Sequence, residues 1–523
     1  MTEAGAEAAV ADESIPVDRL LRYREVMDDW DAFVEASRTP EPAGLRIRAG
    51  LVEANELEDR LERQGFGLEP VAGLPDVRTV RRQPEAISRT LEYWLGHFHL
   101  QQTVMAVPSL ALGPQPGERV LDLCAAPGGK TTHLAQLMDD RGIVVAVDPK
   151  EKRLRGLMSN VFRLLHPGVL VVAADGLTLP TGPLFHRVLV DAPCSAEGNF
   201  RKQRGRLPPR KPAFDHHIRQ LQEGLLRQAI RQTRPGGVVV YSTCTFAPEE
   251  NEAVVARVLA DSPVEVEPIE LDAPHAPGLT RWHDERFPDE LRHAWRLYPH
   301  HLDSGGAFVV RLRKAGGAGE PREAPGREAG AEVDERLAEE GIGDSGWSPI
   351  PPGFPGEDPG EVARRQKRIG EEIRRFGLFP HGGAPHHMIR GDRAWACTAR
   401  EWPVEAWSGS APEAPAAEGP DWRVVSMGLR AWRQSPSGHE TPSSDFLSRW
   451  GRHMDPDRVV EPDRDDLLSL LRGQRLEAPG MDPGPVLLTH EGYRLGRGMV
   501  GRGGLRSEIP RAVADRLIGV LEG

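Results

Sequence analysis

Cysteine is scarce: four residues in a chain of 523, with no C-x-x-C pair among them. That excludes a disulfide framework and a cysteine-based zinc cluster, and it points to a reducing cytoplasm. No run of about 18 apolar residues occurs, so no membrane span is expected. The opening stretch MTEAGAEAAVADES has neither the basic start nor the apolar centre of a secretory signal. Lysine is sparse as well, and the basic residues are overwhelmingly arginine. With 56 glycines and 47 prolines alongside, this reads as a coding bias, although arginine is also the better fork for phosphate. The net charge of −12 argues against a nucleic-acid partner only on average, because binding needs no more than a local basic face. What is present, 39% hydrophobic and 28% charged residues, describes a globular protein of two to four domains.

From Ala315 to Ser345 the composition turns to Gly, Ala, Pro, Glu and Arg with almost no large apolar residue, which reads as an acidic, mobile linker. Before it, residues 16–38 have helical spacing and residues 45–71 read as strand, helix, strand. Then strand-like runs at 120–123, 143–148, 169–175, 187–193 and 236–245 alternate with helical patterns at 130–138, 150–165 and 215–232. That alternation predicts a parallel, doubly wound α/β sheet, completed by runs at 264–271 and 306–313. Ligands bind such sheets at the carboxyl ends of the strands. After the linker comes a Trp- and Pro-rich region with short strands.

LDLCAAPGGKTTHL (121–134) is a strand, a tight loop of small residues and a helix. Neither a P-loop nor G-x-G-x-x-G is present: the first glycine of a P-loop would fall on Cys124. What remains is a loop, Cys124, Ala125, Ala126, Pro127, Gly128, Gly129 and Lys130, that lets a ligand approach backbone N–H groups at a helix start. Asp148 ends the second strand, where a carboxylate accepts from ribose hydroxyls, and Asp175 ends the third, where an adenine amino group would lie. Strand-end aspartates also cap helices, but the combination suits S-adenosylmethionine. DAPCSAEG (191–198) and YSTCTFAPEENEAVV (241–255) place Cys194 and Cys244 at neighbouring strand ends. A lone cysteine is more often a small buried hydrophobe. Two of them beside a methyl donor suit carbon methylation of a pyrimidine, in which a thiolate adds to C6 and makes C5 nucleophilic. Asp191 is placed to stabilise that adduct near N3, a base must remove the C5 proton, and the target base must leave any stack.

DLCAAPGGKT, DAPCSAEG and YSTCT resemble the motifs of the RNA (cytosine-5) methyltransferases of the Sun/Nop2 type. RLYPHHLDSGGAFVVRL (296–312), LRIRAG (45–50) and YWLGHFHLQQ (93–102) extend the resemblance over about residues 17–314. It implies that Cys244 is the nucleophile, that Cys194 assists product release, and that the cofactor lies against the Cys124–Lys130 loop, Asp148, Arg153, Asp175 and Asp191. It departs at Ala196, where a glycine is usual, and at Arg48, where an asparagine is usual.

The expected layout has four parts: a small α+β RNA-positioning domain (1–95); a catalytic domain with a Rossmann-like seven-stranded sheet (96–314); the linker (315–345), which lets the parts on either side move; and a C-terminal region similar to a PUA module (346–523). This layout is similar to the bacterial 16S branch of the family, so ribosomal RNA or the small subunit is the expected partner, and a monomer the expected state. Arg494, Arg497, Arg502 and Arg506 are candidate phosphate contacts. His381, His386 and His387 lack acidic or cysteine partners at ligand spacing, so no metal is expected, and Cys397 reads as structural. The same chemistry on transfer RNA or 23S RNA stays open, as does a non-catalytic ribosome-assembly factor; an NAD enzyme fails at the missing glycine fingerprint.

Overall fold

The computed structural model describes residues 20–180, 185–203, 205–207, 212–316, 348–353, 357–379, 384–403 and 422–522. The helical pattern expected over 16–38 is divided: a single turn covers Leu21–Tyr23 and a helix covers Trp30–Arg38. Asp29 causes the break, since its Oδ1 accepts from Ala32 N at 2.9 Å and caps a new helix. Strands β1 (Gly44–Ile47), β2 (Gly67–Val71), β3 (Leu74–Arg82) and β4 (Phe98–Leu100) then form an antiparallel sheet in the order β2-β3-β1-β4, with the helix Ala54–Arg63 burying Leu57 and Leu61.

The near-continuous apolar runs of the middle region form strands buried on both faces, as parallel sheets require. They are β5 (Arg119–Asp122), β6 (Ile143–Asp148), β7 (Val169–Ala174), β8 (Phe185–Asp191) and β9 (Thr233–Thr243). β10 (Val264–Glu267) is half the expected length, and it is followed by β11 (Ala276–Pro277), the hairpin β12 (Arg281–Trp282) and β13 (Glu285–Arg286), β14 (Trp295–Leu297) and β15 (Ala307–Lys314). The core order is β15-β9-β8-β5-β6-β7, with β10 and β14 both paired to β15. β15 is antiparallel to β9. Helices Gly129–Leu137 and Glu151–Arg163 follow β5 and β6, and Pro212–Gln232 precedes β9.

The seven expected strands are not the whole sheet. Beyond β16 (Ser348–Pro349), β17 (His386–Arg390), β18 (Arg393–Cys397) and β19 (Glu401–Trp402) comes β20 (Trp422–Met427), which pairs antiparallel with β7 at the far edge. The C-terminal region is therefore not a body free to move on a linker: it closes an exposed sheet edge. Most of that expected linker, residues 317–345, lies outside the described residues. Met388, Cys397, Ala399, Trp402 and Met427 are buried in the same apolar core as β6, β7 and β8. At Gly428 the chain leaves the large sheet and enters β21 (Leu429–Gln434), which with β17, β18 and β22 (Glu440–Pro442) forms a separate four-stranded sheet. Gly428 has φ +61°, and a Cβ there would lie 2.2 Å from Ala396 O, so only glycine fits. A last sheet comprises β23 (Val459–Val460), β24 (Gly484–His490), β25 (Tyr493–Gly501) and β26 (Gly504–Ser507).

Asp140, fully buried, fastens three parts of the chain together. Its carboxylate takes Arg48 from the N-terminal sheet, His166 Nδ1 at 2.7 Å from the core and Arg449 Nη2 at 3.1 Å from the C-terminal region. Burial works against the Asp140 charge, but Arg48, Arg449 and the hydrogen bond to His166 outweigh it and hold the carboxyl well below its usual range. Arg48, one of the two departures from the resembled motifs, is thus a buried structural cation. No helix among the described residues is long and apolar enough to cross a membrane.

Candidate active site

The expected site residues converge at the carboxyl ends of β5 to β9. The Cys124–Gly128 loop leaves β5 and is held by Ala125 N donating to Val147 O at 2.9 Å. Asp148 closes β6: its Oδ1 accepts from Lys150 N at 3.0 Å, and its Oδ2 lies 2.8 Å from Arg153 Nη1. Arg153 also donates to Ala126 O, so it ties the acid to the small-residue loop. Asp175 is exposed after β7, its Oδ1 accepting from Leu177 N at 3.0 Å. Both aspartates use one oxygen to bind the backbone two residues on, a turn that fixes where the carboxylate faces. Lys130, expected in the cofactor loop, instead reaches Asp191 Oδ2 at 2.8 Å. Burial alone would lower the Lys130 pKa, but the Asp191 charge outweighs it and holds the ammonium above its usual range. Asp191 Oδ1 accepts from Ser242 Oγ at 2.9 Å.

Cys194 follows β8 and Cys244 follows β9, with their sulfurs 3.2 Å apart and both side chains partly exposed. Parallel pairing of Asp191 with Ser242 sets this neighbourhood, and Cys244 N donates to Cys194 Sγ at 3.3 Å. The hydrogen bond between the thiols pushes Cys194 well up, helped by burial, and pulls Cys244 down despite burial. The two thiols are therefore inequivalent: Cys244 is the one inclined to ionise. Cys124 differs, since burial and the nearby Asp122, Asp191 and Asp148 push its thiol well up.

Several residues around the thiols were given no role by the sequence, and one, Asn199, lies just outside its motifs. Asn199 Nδ2 donates to Cys244 Sγ at 3.3 Å. Glu197, buried, accepts from Tyr23 OH at 2.7 Å and from Thr245 Oγ1 at 3.1 Å, joining the N-terminal segment to the Cys244 loop. Glu250, from the stretch PEENE, accepts from Ser195 N at 2.9 Å and Gln222 Nε2 at 3.1 Å. Asp122 lies beneath the loop, pushed up to about 7 by burial. Ala196 has φ +57°, a left-handed conformation that explains why glycine is usual there.

The other residues singled out in the sequence lie away from this site. Arg497 and Arg506 both pair with Glu508, and Arg494 donates its Nε to Ser448 O at 2.9 Å. The four arginines do not form one open basic row; Arg502 is exposed in the turn between β25 and β26. His381 lies outside the described residues, His386 is exposed, and His387 Nε2 accepts from Trp432 Nε1 at 3.1 Å. Cys397 is buried, its thiol pushed up to about 12. Among the described residues one trio, Asp28, His300 and His301, has metal-ligand spacing. Tyr298 N donates to His301 Nδ1 at 3.2 Å, so the proton sits on Nε2, which faces Asp28 Oδ2 at 2.8 Å. The trio reads as a hydrogen-bonded tether of the N-terminal segment.

The family described as 16S rRNA methyltransferase RsmB/F matches residues 109–313. The chain is 36% identical over 293 residues to the 28S rRNA (cytosine(4447)-C(5))-methyltransferase of Homo sapiens, an alignment covering 54% of this chain and 35% of that protein. It is 31% identical over 301 residues to the tRNA (cytosine(49)-C(5))-methyltransferase of Pyrococcus abyssi, covering 57% of this chain and 96% of that one. Identity to the ribosomal RNA small subunit methyltransferase F of Cronobacter sakazakii is 32% over 309 residues, covering 58% and 62%. The solved structure of a methyltransferase homologue from Pyrococcus horikoshii superposes with a TM-score of 0.50 at 31% identity, covering 57% of this chain and 99% of that one. The chain spans less than half the length of its eukaryotic relatives.

Proposed function

Because the chain belongs to the RNA cytosine-C5 methyltransferase family that includes the RsmB/F enzymes, we propose that it methylates C5 of cytosine in 16S ribosomal RNA through a covalent bond from Cys244 to C6. The observation that carries this reading is the pair of thiols 3.2 Å apart at the ends of β8 and β9, with Asn199 Nδ2 3.3 Å from Cys244 Sγ and Asp191 on the same edge. The name of the matched family and the small-subunit relative favour 16S RNA over transfer RNA.

The residues around the Cys124–Lys130 loop fit S-adenosylmethionine: small side chains stand before a helix start, with the buried Asp148 carboxylate and the half-exposed Arg153 beside them. Asp148 and Asp175 would hold ribose and adenine, and Arg153 would hold the Asp148 carboxylate in place. When bound, the cofactor supplies an electrophilic methyl group to C5. The chain's own residues do the rest. Cys244 thiolate adds to C6, and the C5–C6 electron pair becomes available at C5. Asp191, positioned by Lys130 and Ser242, stabilises the adduct near N3. Once the C5 proton has left to a base, the C6–S pair returns to Cys244, and Cys194 assists that departure.

Mapping bisulfite-resistant cytosines in 16S, 23S and transfer RNA, each incubated with and without the protein, tests the substrate. New signal confined to 16S RNA is expected; signal confined to transfer RNA would sink the assignment. Asp148→Ala checks the cofactor site. Loss of charged hydrogen bonds, each worth roughly 1.5–3 kcal/mol, should weaken S-adenosylmethionine binding at least about tenfold by calorimetry. An unchanged dissociation constant would place the cofactor elsewhere.

A further inference from the structure

We infer that Asn199 is a catalytic residue whose side-chain amide holds the Cys244 sulfur as a thiolate, both as nucleophile and as leaving group. The inference rests on the reading of Cys244 as the nucleophile. Asn199 Nδ2 lies 3.3 Å from Cys244 Sγ, and the amide is a neutral donor. It can stabilise negative charge on sulfur without giving up a proton, which a histidine or lysine in the same place could do.

The contact is built into the backbone. Asn199 ends a short helical turn, Glu197–Asn199, entered through the left-handed Ala196. Gly198 N donates to Cys244 O at 2.9 Å, so the residue preceding Asn199 is tied to the nucleophile's own carbonyl. On its other side Gly198 O accepts from Gly306 N at 2.9 Å, and a Cβ on Gly198 would lie 2.4 Å from Gly306 O. The buried Glu197, held by Tyr23 and Thr245, locks the turn from below. Two backbone bonds and one buried carboxylate thus fix where the Asn199 amide stands, which a donor must have if it is to act without reorganising.

The amide has a part in each half of the reaction. On addition, the sulfur lone pair forms the S–C6 bond while the C5–C6 pair moves into the ring. On elimination, after the C5 proton has gone to a base, the S–C6 pair returns to sulfur and the C5–C6 double bond re-forms. A donor already aimed at Sγ favours the ionised thiol before the first step and after the second. Asn199 acts alongside Cys194, whose thiol also faces Cys244 and which pulls the Cys244 thiol down together with Asn199.

The test uses the full-length protein and iodoacetamide. Alkylation of Cys244, quantified by peptide mass spectrometry between about pH 6 and about pH 10, gives the thiol's midpoint without RNA or cofactor. In Asn199→Ala and the donor-free isostere Asn199→Leu, the midpoint should rise by about one pH unit. The acid limb of the methylation pH–rate profile should move with it, while S-adenosylmethionine affinity stays as in wild type. If both variants fold, by thermal melting, and keep the wild-type midpoint while methylation still requires Cys244, Asn199 has no such role and the nucleophile stands. If methylation survives Cys244→Ala, the underlying reading and this inference fall together.

Discussion

Cys244→Ala is expected to lower methyl transfer to RNA by about a thousandfold or more, because C5 of an unmodified cytosine is too weak a nucleophile to take a methyl group. S-adenosylmethionine affinity should hardly change, since the thiol stands at the end of β9 while the cofactor loop, Asp148 and Arg153 lie at the ends of β5 and β6. Turnover within about tenfold of wild type would remove Cys244 as the reacting group. Cys194→Ala should behave differently, because its sulfur lies 3.2 Å from Cys244 and carries the less acidic thiol of the pair. The bond at Cys244 should form and then persist, giving a protein–RNA species that survives denaturing electrophoresis and disappears in the double variant. Without such a species, Cys194 is a packing partner and not a participant in release.

Removal of everything after Ala315 is expected to destabilise strongly what remains. Deletion strips β20 from β7 and leaves a row of unpaired backbone groups along an apolar strand. It also uncovers the core surface against which Met388, Trp402 and Met427 are buried, each such side chain being worth about 1.5–3 kcal/mol. The sum is comparable with the whole stability of a typical domain, about 5–15 kcal/mol. Residues 1–315 should therefore be insoluble or melt more than about 10 °C below the full chain. A soluble fragment melting within about 2 °C of the full chain would show that β20 contributes nothing.

The failure of the sequence to disclose that dependence has a physical cause. The motif loops were readable because small residues, aspartates and cysteines fall at the ends of apolar runs, and a parallel sheet gathers strand ends at one edge. Cys194 and Cys244 could thus be placed together from 50 residues apart. WRVVSM (422–427) also reads as a strand, but nothing in its own residues says which edge it will join. Edge pairing is set by which backbone is left open, a property of the assembled sheet. The Asp140 junction is equally illegible, since its arginines, Arg48 and Arg449, come from opposite ends of the chain. Asn199 was hidden for another reason: an asparagine beside glycine in a loop signals only a turn.

The register of β20 makes the seating of the C-terminal region a quantised quantity. Trp422 stands opposite Ala174 and Met427 opposite Leu170, with one irregularity between Val424 and Ser426. A slip of one residue would turn Met427 from the core to the opposite face, so permitted displacements come in pairs of residues, roughly 7 Å at a time. The span from the Cys244 sulfur to β21–β26 is therefore that of a notched gauge, with no adjustment available between notches.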